Sequence, residues 1–186
     1  MPKKHISKDL GRPVKLLKEK VCYINTTDLR LEIKESNIKN AGNGVFTKEF
    51  IPKDSRIGFY EGIVSNDERL ITDYTFTLSD KWFVDGFHYP RSYIAMVNDP
   101  FDGTFEYNCE FDVQHVTKSG KQLRFKDRRV FLKAIKDIEP GEELYASYGD
   151  DYWQCESRQK YIKNSEKEKK KKKGLKKIIK KVKKSS

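Results

Sequence analysis

The chain has 186 residues, 36% of them charged, and a formal net charge of +11. No apolar run approaches the ~20 residues that span a bilayer, and MPKKHISKDL lacks the apolar stretch of a secretory leader, so an intracellular protein is expected. Three cysteines and three histidines, scattered and without ligand spacing, leave neither a disulfide framework nor a zinc site, and no metal is expected.

The charge is segregated. Lys163 to Lys184 holds 13 Lys and 2 Glu, which equals the net charge of the whole chain. Residues 1–20 carry 7 basic and 2 acidic groups, so residues 21–162 sum to -5. The organisation this predicts is a basic N-terminal tail (1–20), one mildly acidic domain (21–162) and a lysine-rich C-terminal tail (163–186), disordered when alone.

In chain order, LRLEI (Leu29–Ile33) alternates as a strand. Gly42-Asn43-Gly44 follows in a run of turn formers, where Asn-Gly suits a two-residue hairpin loop, and Val45-Phe46 reads as the next strand. RIGFYEGIV (Arg56–Val64) is one further β segment, and Ser65–Arg69 can begin a short helix. Tyr74–Leu78 and Lys81–Val84 flank Ser79-Asp80 as a hairpin. Ser92–Val97 is short and apolar, Glu110–His115 alternates, Arg129–Ile135 is the clearest strand, and Glu143–Tyr148 is the last. Short, closely spaced strands with little helix predict a mainly β fold.

Singly, the candidate signals stay open. Gly42-Asn43-Gly44 suits an ordinary turn, Gly141-Glu142-Glu143-Leu144 a surface corner, and Tyr60, Phe111 and Tyr148 the aromatic core of strands. Their order is more specific. AGNGVFTKEFIPKDSRIGFYEGIV (Ala41–Val64), TDYTFTL (Thr72–Leu78), Asn98-Asp99, Asn108-Cys109 and RVFLKAIKDIEPGEELYASYGDDYW (Arg129–Trp153) together resemble the SET-domain protein lysine methyltransferases. The ending is similar to the minimal SET proteins of large DNA viruses of eukaryotes.

The resemblance implies small curled β-sheets closed by a C-terminal pseudoknot. It also implies a channel in which S-adenosylmethionine and a substrate lysine meet from opposite faces. Tyr148 corresponds to the catalytic tyrosine and Tyr60 to the channel-lining one, with Phe111 and Ala146 leaving room for more than one methyl group. The main chain around Ala41, Asn43 and Gly44 would face the methionine part of the cofactor, Tyr74 its carboxylate, and Asn98 with Asp99 the purine side. Trp153 would either cover the adenine or pin the chain end. Asp99 stands where the family carries His, the Asn98–Asn108 spacing is lengthened, and Ala95 replaces a frequent Arg.

Such chemistry suits these residue types. A free lysine amine has a pKa of ~10.4, so a methyl acceptor must be desolvated to lose its proton, and an aromatic wall with a phenol does that without adding charge. Glu61, Asp67, Glu68 and Asp73 could attract a basic peptide, or simply form a solvated acidic face. Leu175, Ile178, Ile179 and Val182 recur at helical spacing among lysines, which fits nucleic acid first, then an anionic membrane surface, an import address or mere solubility. The reading is a histone-lysine methyltransferase tethered to chromatin by its tail, in the nucleus of a host cell or in a virion. A non-histone target, the enzyme's own tail, or a weakly active SET-like module binding chromatin are the alternatives. The oligomeric state stays open, a homodimer included.

Overall fold

A computed structural model describes residues 12–13, 29–89 and 91–154. The boundaries drawn at 20/21 and 162/163, the C-terminal amphipathic pattern, Cys22 and Cys155 lie outside the described residues. The chain divides into two units, Met1–Pro100 with Glu106–Ser147, and Phe101–Phe105 with Tyr148–Ser186.

Among the described residues the first unit is built from four small sheets, because each short amphipathic strand finds a different partner. β1 (Arg12–Pro13) pairs in parallel with β8 (His88–Tyr89), so the basic N-terminal segment contributes a two-residue strand. β2 (Leu31–Glu35) and β3 (Asn43–Thr47) form an antiparallel hairpin with Leu31 opposite Thr47 and Glu35 opposite Asn43. Its connection runs through Ser36–Gly42 instead of a two-residue Asn43-Gly44 loop. The reversal is made by Asn40 (φ 67°) and Gly42 (φ 78°), residue types that adopt left-handed backbone at low cost, and Asn43 and Gly44 stay in the strand.

The segment predicted as one strand from Arg56 to Val64 is two. β4 (Arg56–Phe59) joins β10 (Arg129–Ala134) and β9 (Cys109–Gln114) in the order β4-β10-β9. β5 (Ile63–Ser65) leaves that sheet to pair with β7 (Phe83–Asp85), which also pairs with β6 (Thr75–Thr77). The β6–β7 hairpin matches its sequence signal, closed by the amide of Leu78 donating to the carbonyl of Trp82 at 2.8 Å. Glu68–Leu70, Tyr93–Met96 and Phe125–Asp127 are 3-10 turns.

Glu143–Tyr148 is not a strand. It makes isolated bridges only, Glu143 to Phe46 and Tyr145 to Asn98, because its backbone serves two sides at once. Leu144 N–H donates to Val45 (2.7 Å) and Ala146 N–H to Asn98 (3.1 Å), while the Tyr145 carbonyl accepts from Asn108 and Cys109 (3.2 and 3.0 Å). The segment is thus threaded between β3 on one side and Asn98, Asn108 and Cys109 on the other. Leu144 and Ala146 are fully buried there with Val45, Val97, Leu132 and Ile138. Each of the valine, leucine and isoleucine side chains among them contributes roughly 1.5–3 kcal/mol of burial.

The second unit contains α1 (Asp150–Gln154), a five-residue helix with Asp150 and Asp151 in its first turn, the favourable end for negative charge. Among the described residues no helix is long and apolar enough to cross a membrane.

Candidate functional site

Tyr60 follows β4 directly, where the chain turns from one sheet to the next. Its ring lies 5.9 Å from Phe111 of β9, edge to face, and 6.2 Å from Phe76 of β6. Phe76 and Phe111 are themselves 5.6 Å apart, so two strands from two sheets and the residue after β4 bring their aromatics into one half-buried cluster. Rings at these spacings gain about 0.5–1.5 kcal/mol per pair beyond the area they bury. Tyr60 and Phe111 were expected together. Phe76 was not singled out, although it is the middle of TDYTFTL.

Two contacts fix Tyr60. Its hydroxyl donates to the main-chain carbonyl of Tyr74 at 2.7 Å. Its ring lies so close to Gly86 that a Cβ there would meet ring atoms at 2.8 and 3.0 Å. The phenol's single proton is therefore committed to Tyr74, and further hydrogen bonding by this oxygen is as acceptor. Tyr74 is held in turn. Buried Asp85 accepts from the hydroxyls of Thr72 (2.5 Å) and Thr75 (2.7 Å), and Thr72 Oγ1 accepts from the amide of Tyr74 at 3.0 Å. The buried guanidinium of Arg91 lies 3.8 Å from the Tyr74 ring centroid.

The glycine segment is organised around a carboxylate that sequence reading treated as a surface corner. Glu143 is buried. Its Oε1 accepts from Ser36 Oγ (2.6 Å) and Asn98 Nδ2 (3.2 Å), and its Oε2 from the amide of Asn37 (2.7 Å) and the hydroxyl of Tyr145 (2.8 Å). Burial is the main reason the Tyr145 phenol is pushed well above its ordinary range, with the hydrogen bond to Glu143 adding to it. Asn98 Nδ2 also donates to the carbonyl of Asn43 at 3.0 Å. Both hydrogens of the Asn98 amide thus bracket the protein itself. Gly44 is required because a Cβ would fall 2.0 Å from Glu143 Oε1. Asn43 and Gly44 face this bracket, whereas Ala41 is exposed on the connection before β3. The only cue for Glu143 was the apolar run that follows it.

Asn108 repeats the bracket one step along. Its Nδ2 donates to the Glu143 carbonyl (2.8 Å) and its Oδ1 accepts from the amide of Tyr145 (2.7 Å). Asp99 is buried and accepts from the Tyr107 hydroxyl at 2.8 Å, and Ala146 is fully buried. The neighbouring Cys109 thiol is pushed up to about 12 by burial.

In the second unit Tyr148 is half-buried, with its ring 4.7 Å from Tyr152 and parallel to Trp153 at 6.2 Å. Trp153 also stacks on Phe101 at 3.9 Å. That contact gives the indole a structural partner of its own.

The four acidic residues do not behave alike. Asp67 pairs with Arg69, and Glu68 and Asp73 are exposed. Glu61 is largely buried, 3.1 Å from Arg129, and burial outweighs that pairing to push its carboxyl up to about 7. Its Oε2 is buried without a hydrogen-bond partner. Among the described residues no group of three His, Cys, Asp or Glu side chains could hold a metal ion.

The family profile of the SET domain matches residues 42–149, more than half of the chain. No curated protein matches the sequence. Among solved structures the chain is similar to an active polycomb repressive complex 2 in the stimulated state, with 25% identity and a TM-score of 0.53 over 65% of this chain and 15% of that one. It is similar to the polycomb repressive complex 2 of Chaetomium thermophilum, at 24% identity and a TM-score of 0.54 over 68% and 16%. KRYPTONITE, in complex with mCHG DNA and SAH, gives 24% identity and a TM-score of 0.53 over 68% and 25%. The chain thus spans a quarter or less of the length of these proteins.

Proposed function

Because the chain belongs to the SET-domain family, we propose that it is a protein-lysine N-methyltransferase that uses S-adenosylmethionine and acts on a histone tail. The observation that carries this reading is the aromatic cluster of Tyr60, Phe76 and Phe111 together with the Asn43–Asn98–Glu143 bracket, both within the stretch that matches the family. KRYPTONITE, whose structure holds SAH, supplies the analogy for the cofactor.

The residues fit such a group. The exposed connection at Ala41 and Gly42 is held by the Ala41 amide donating to Ile38 and the Gly42 carbonyl accepting from Ser36, and Asn98 holds the next carbonyl, that of Asn43, so a polar ligand would meet a fixed main chain. Arg91, against the ring of Tyr74, gives the surroundings of Tyr74 the positive potential a carboxylate favours. When bound, the cofactor supplies an activated methyl group on a sulfonium.

The remaining work belongs to the chain. An apolar wall of Tyr60 and Phe111 disfavours the ammonium form of an entering lysine and so lowers its pKa. Tyr60 Oη, its proton already given to Tyr74, can accept from the amine and orient it. Tyr148 is the proposed catalytic phenol on the strength of its ASYG setting. Phe111 lacks a hydroxyl and Ala146 is small, which favours more than one methyl per lysine. The chromatin tether, the nuclear or virion location and kinship with the viral minimal SET proteins belong to the same proposal, and they rest on the tail's 13 lysines and the closing motif.

Incubation with radiolabelled S-adenosylmethionine and nucleosomes tests it, with Tyr148→Phe as the control. Histone label that vanishes in the variant supports the proposal. Label confined to the protein's own tail moves the substrate, and no label despite salt-sensitive DNA binding replaces the enzyme with a binding module.

A further inference from the structure

The described domain is acidic, yet one excursion reverses the sign. Residues 29–154 contain 17 basic and 22 acidic side chains. The link between β9 and β10, residues 115–128, holds five basic ones (Lys118, Lys121, Arg124, Lys126 and Arg128) and a single acidic one, Asp127. The remainder of 29–154 therefore carries 12 basic and 21 acidic groups. Cations gathered on one link of an acidic surface are an electrostatic footprint of their own, separate from the C-terminal tail.

The link is folded. Val116 bridges Gln122, the Thr117 amide donates to the Lys121 carbonyl at 2.9 Å, and Gly120 (φ 81°) makes the reversal. The 3-10 turn Phe125–Asp127 follows, and Arg128 anchors it by donating from Nη1 to the Leu78 carbonyl at 3.3 Å. Arg124 is neutralised by Asp127. Lys118, Lys121 and Lys126 are exposed and form no salt bridge among the described residues. Between them Phe125 is 50% exposed, with one ring face over the Arg128 guanidinium at 4.2 Å.

We propose that this hairpin is a nucleic-acid contact surface, in which Lys118, Lys121 and Lys126 neutralise backbone phosphates and Phe125 lies against sugar or base. Lysine ammonium groups are point charges suited to a lattice of phosphates, whereas planar carboxylates favour the bidentate fork of arginine. Here the arginines are occupied internally and the lysines are free of salt bridges. An interleaved exposed aromatic fits a polynucleotide better than an acidic peptide. The inference does not depend on methyl transfer.

The test compares the full chain with a Lys118→Gln, Lys121→Gln, Lys126→Gln variant on a 30-base-pair duplex across a salt series. Each lost phosphate contact removes about 0.9 from the slope of log K against log salt, so the slope should flatten by about 2 to 3. Phe125→Ala should weaken binding and leave the slope unchanged. Amine-labelling footprints should show DNA protecting these three lysines and not Lys48 or Lys53. An unchanged slope with unprotected lysines overturns the proposal. If nucleosome binding then still weakens, the hairpin meets an acidic protein surface instead.

Discussion

Glu143→Gln is the most informative single change, because it keeps the shape of the side chain while removing its charge and turning one acceptor oxygen into a donor. The carboxylate takes two donors on each oxygen: Ser36 and Asn98 on Oε1, Asn37 and Tyr145 on Oε2. The hydroxyls of Ser36 and Tyr145 can rotate and accept instead. The amide of Asn37 and the Nδ2 of Asn98 cannot. Whichever way the glutamine amide turns, its NH2 meets one fixed N–H, and that buried donor is orphaned at a cost of roughly 1–3 kcal/mol. The surviving bonds lose a charged acceptor, about 1 kcal/mol each, partly offset by no longer burying a charge. The net expectation is a loss of about 3 kcal/mol. Urea denaturation followed by far-ultraviolet circular dichroism should show the midpoint falling by about 1–2 M with an unchanged slope. A loss under ~0.5 kcal/mol would refute the view of Glu143 as the acceptor that joins the 36–44 connection to the closing segment.

The Glu61 carboxyl keeps its proton up to about 7 when folded but releases it near 4.5 when unfolded. Stability from this group is therefore complete below pH 4.5 and is lost as pH rises through 7, by about 3 kcal/mol at most, a slope that Glu61→Gln should erase in pH-dependent unfolding. Gly86→Ala places a methyl against Tyr60 and Ala95, and overpacking of ~1–3 kcal/mol should lower the melting temperature by several degrees; an unaltered melting temperature would mean the ring is free to move. Cys109, its thiol pushed up to about 12 by burial, should resist iodoacetamide at pH 8 in the folded protein and react fully in urea, as read by site-resolved mass spectrometry.

Elements whose side chains face one partner were legible. β10 is the central strand of its sheet, and its sequence shows it: Val130, Phe131 and Leu132 form a buried apolar run between Arg129 and Lys133, which are not buried. Elements that change partner were not. Nothing in RIGFYEGIV marks the point after Phe59 where the chain leaves one sheet for another. Glu143–Tyr148 looks like a strand because Leu144, Tyr145 and Ala146 read as an apolar run, yet these residues are buried on both sides by different neighbours. The Asn43-Gly44 pair suggested a tight hairpin, but the left-handed residues are Asn40 and Gly42, and Gly44 answers to a neighbour 99 residues away in sequence.

The candidate site divides along the same line. Tyr60 and Phe111 could be named from the order of the motifs that contain them, although Tyr60 follows β4 and Phe111 lies on β9, with β10 between the two strands. Glu143 could not, since nothing local distinguishes it from exposed Glu142 beside it. What selects between the two is geometric: only position 143 faces Gly44, and only a glycine there lets a carboxylate approach both the Asn98 amide and the Asn37 main chain. The glycine, the asparagine and the glutamate therefore form one constraint written at three distant places. Changing any one should disturb the other two, so paired substitutions at Gly44 and Glu143 should be less than additive in stability, as expected of residues that share a single set of hydrogen bonds.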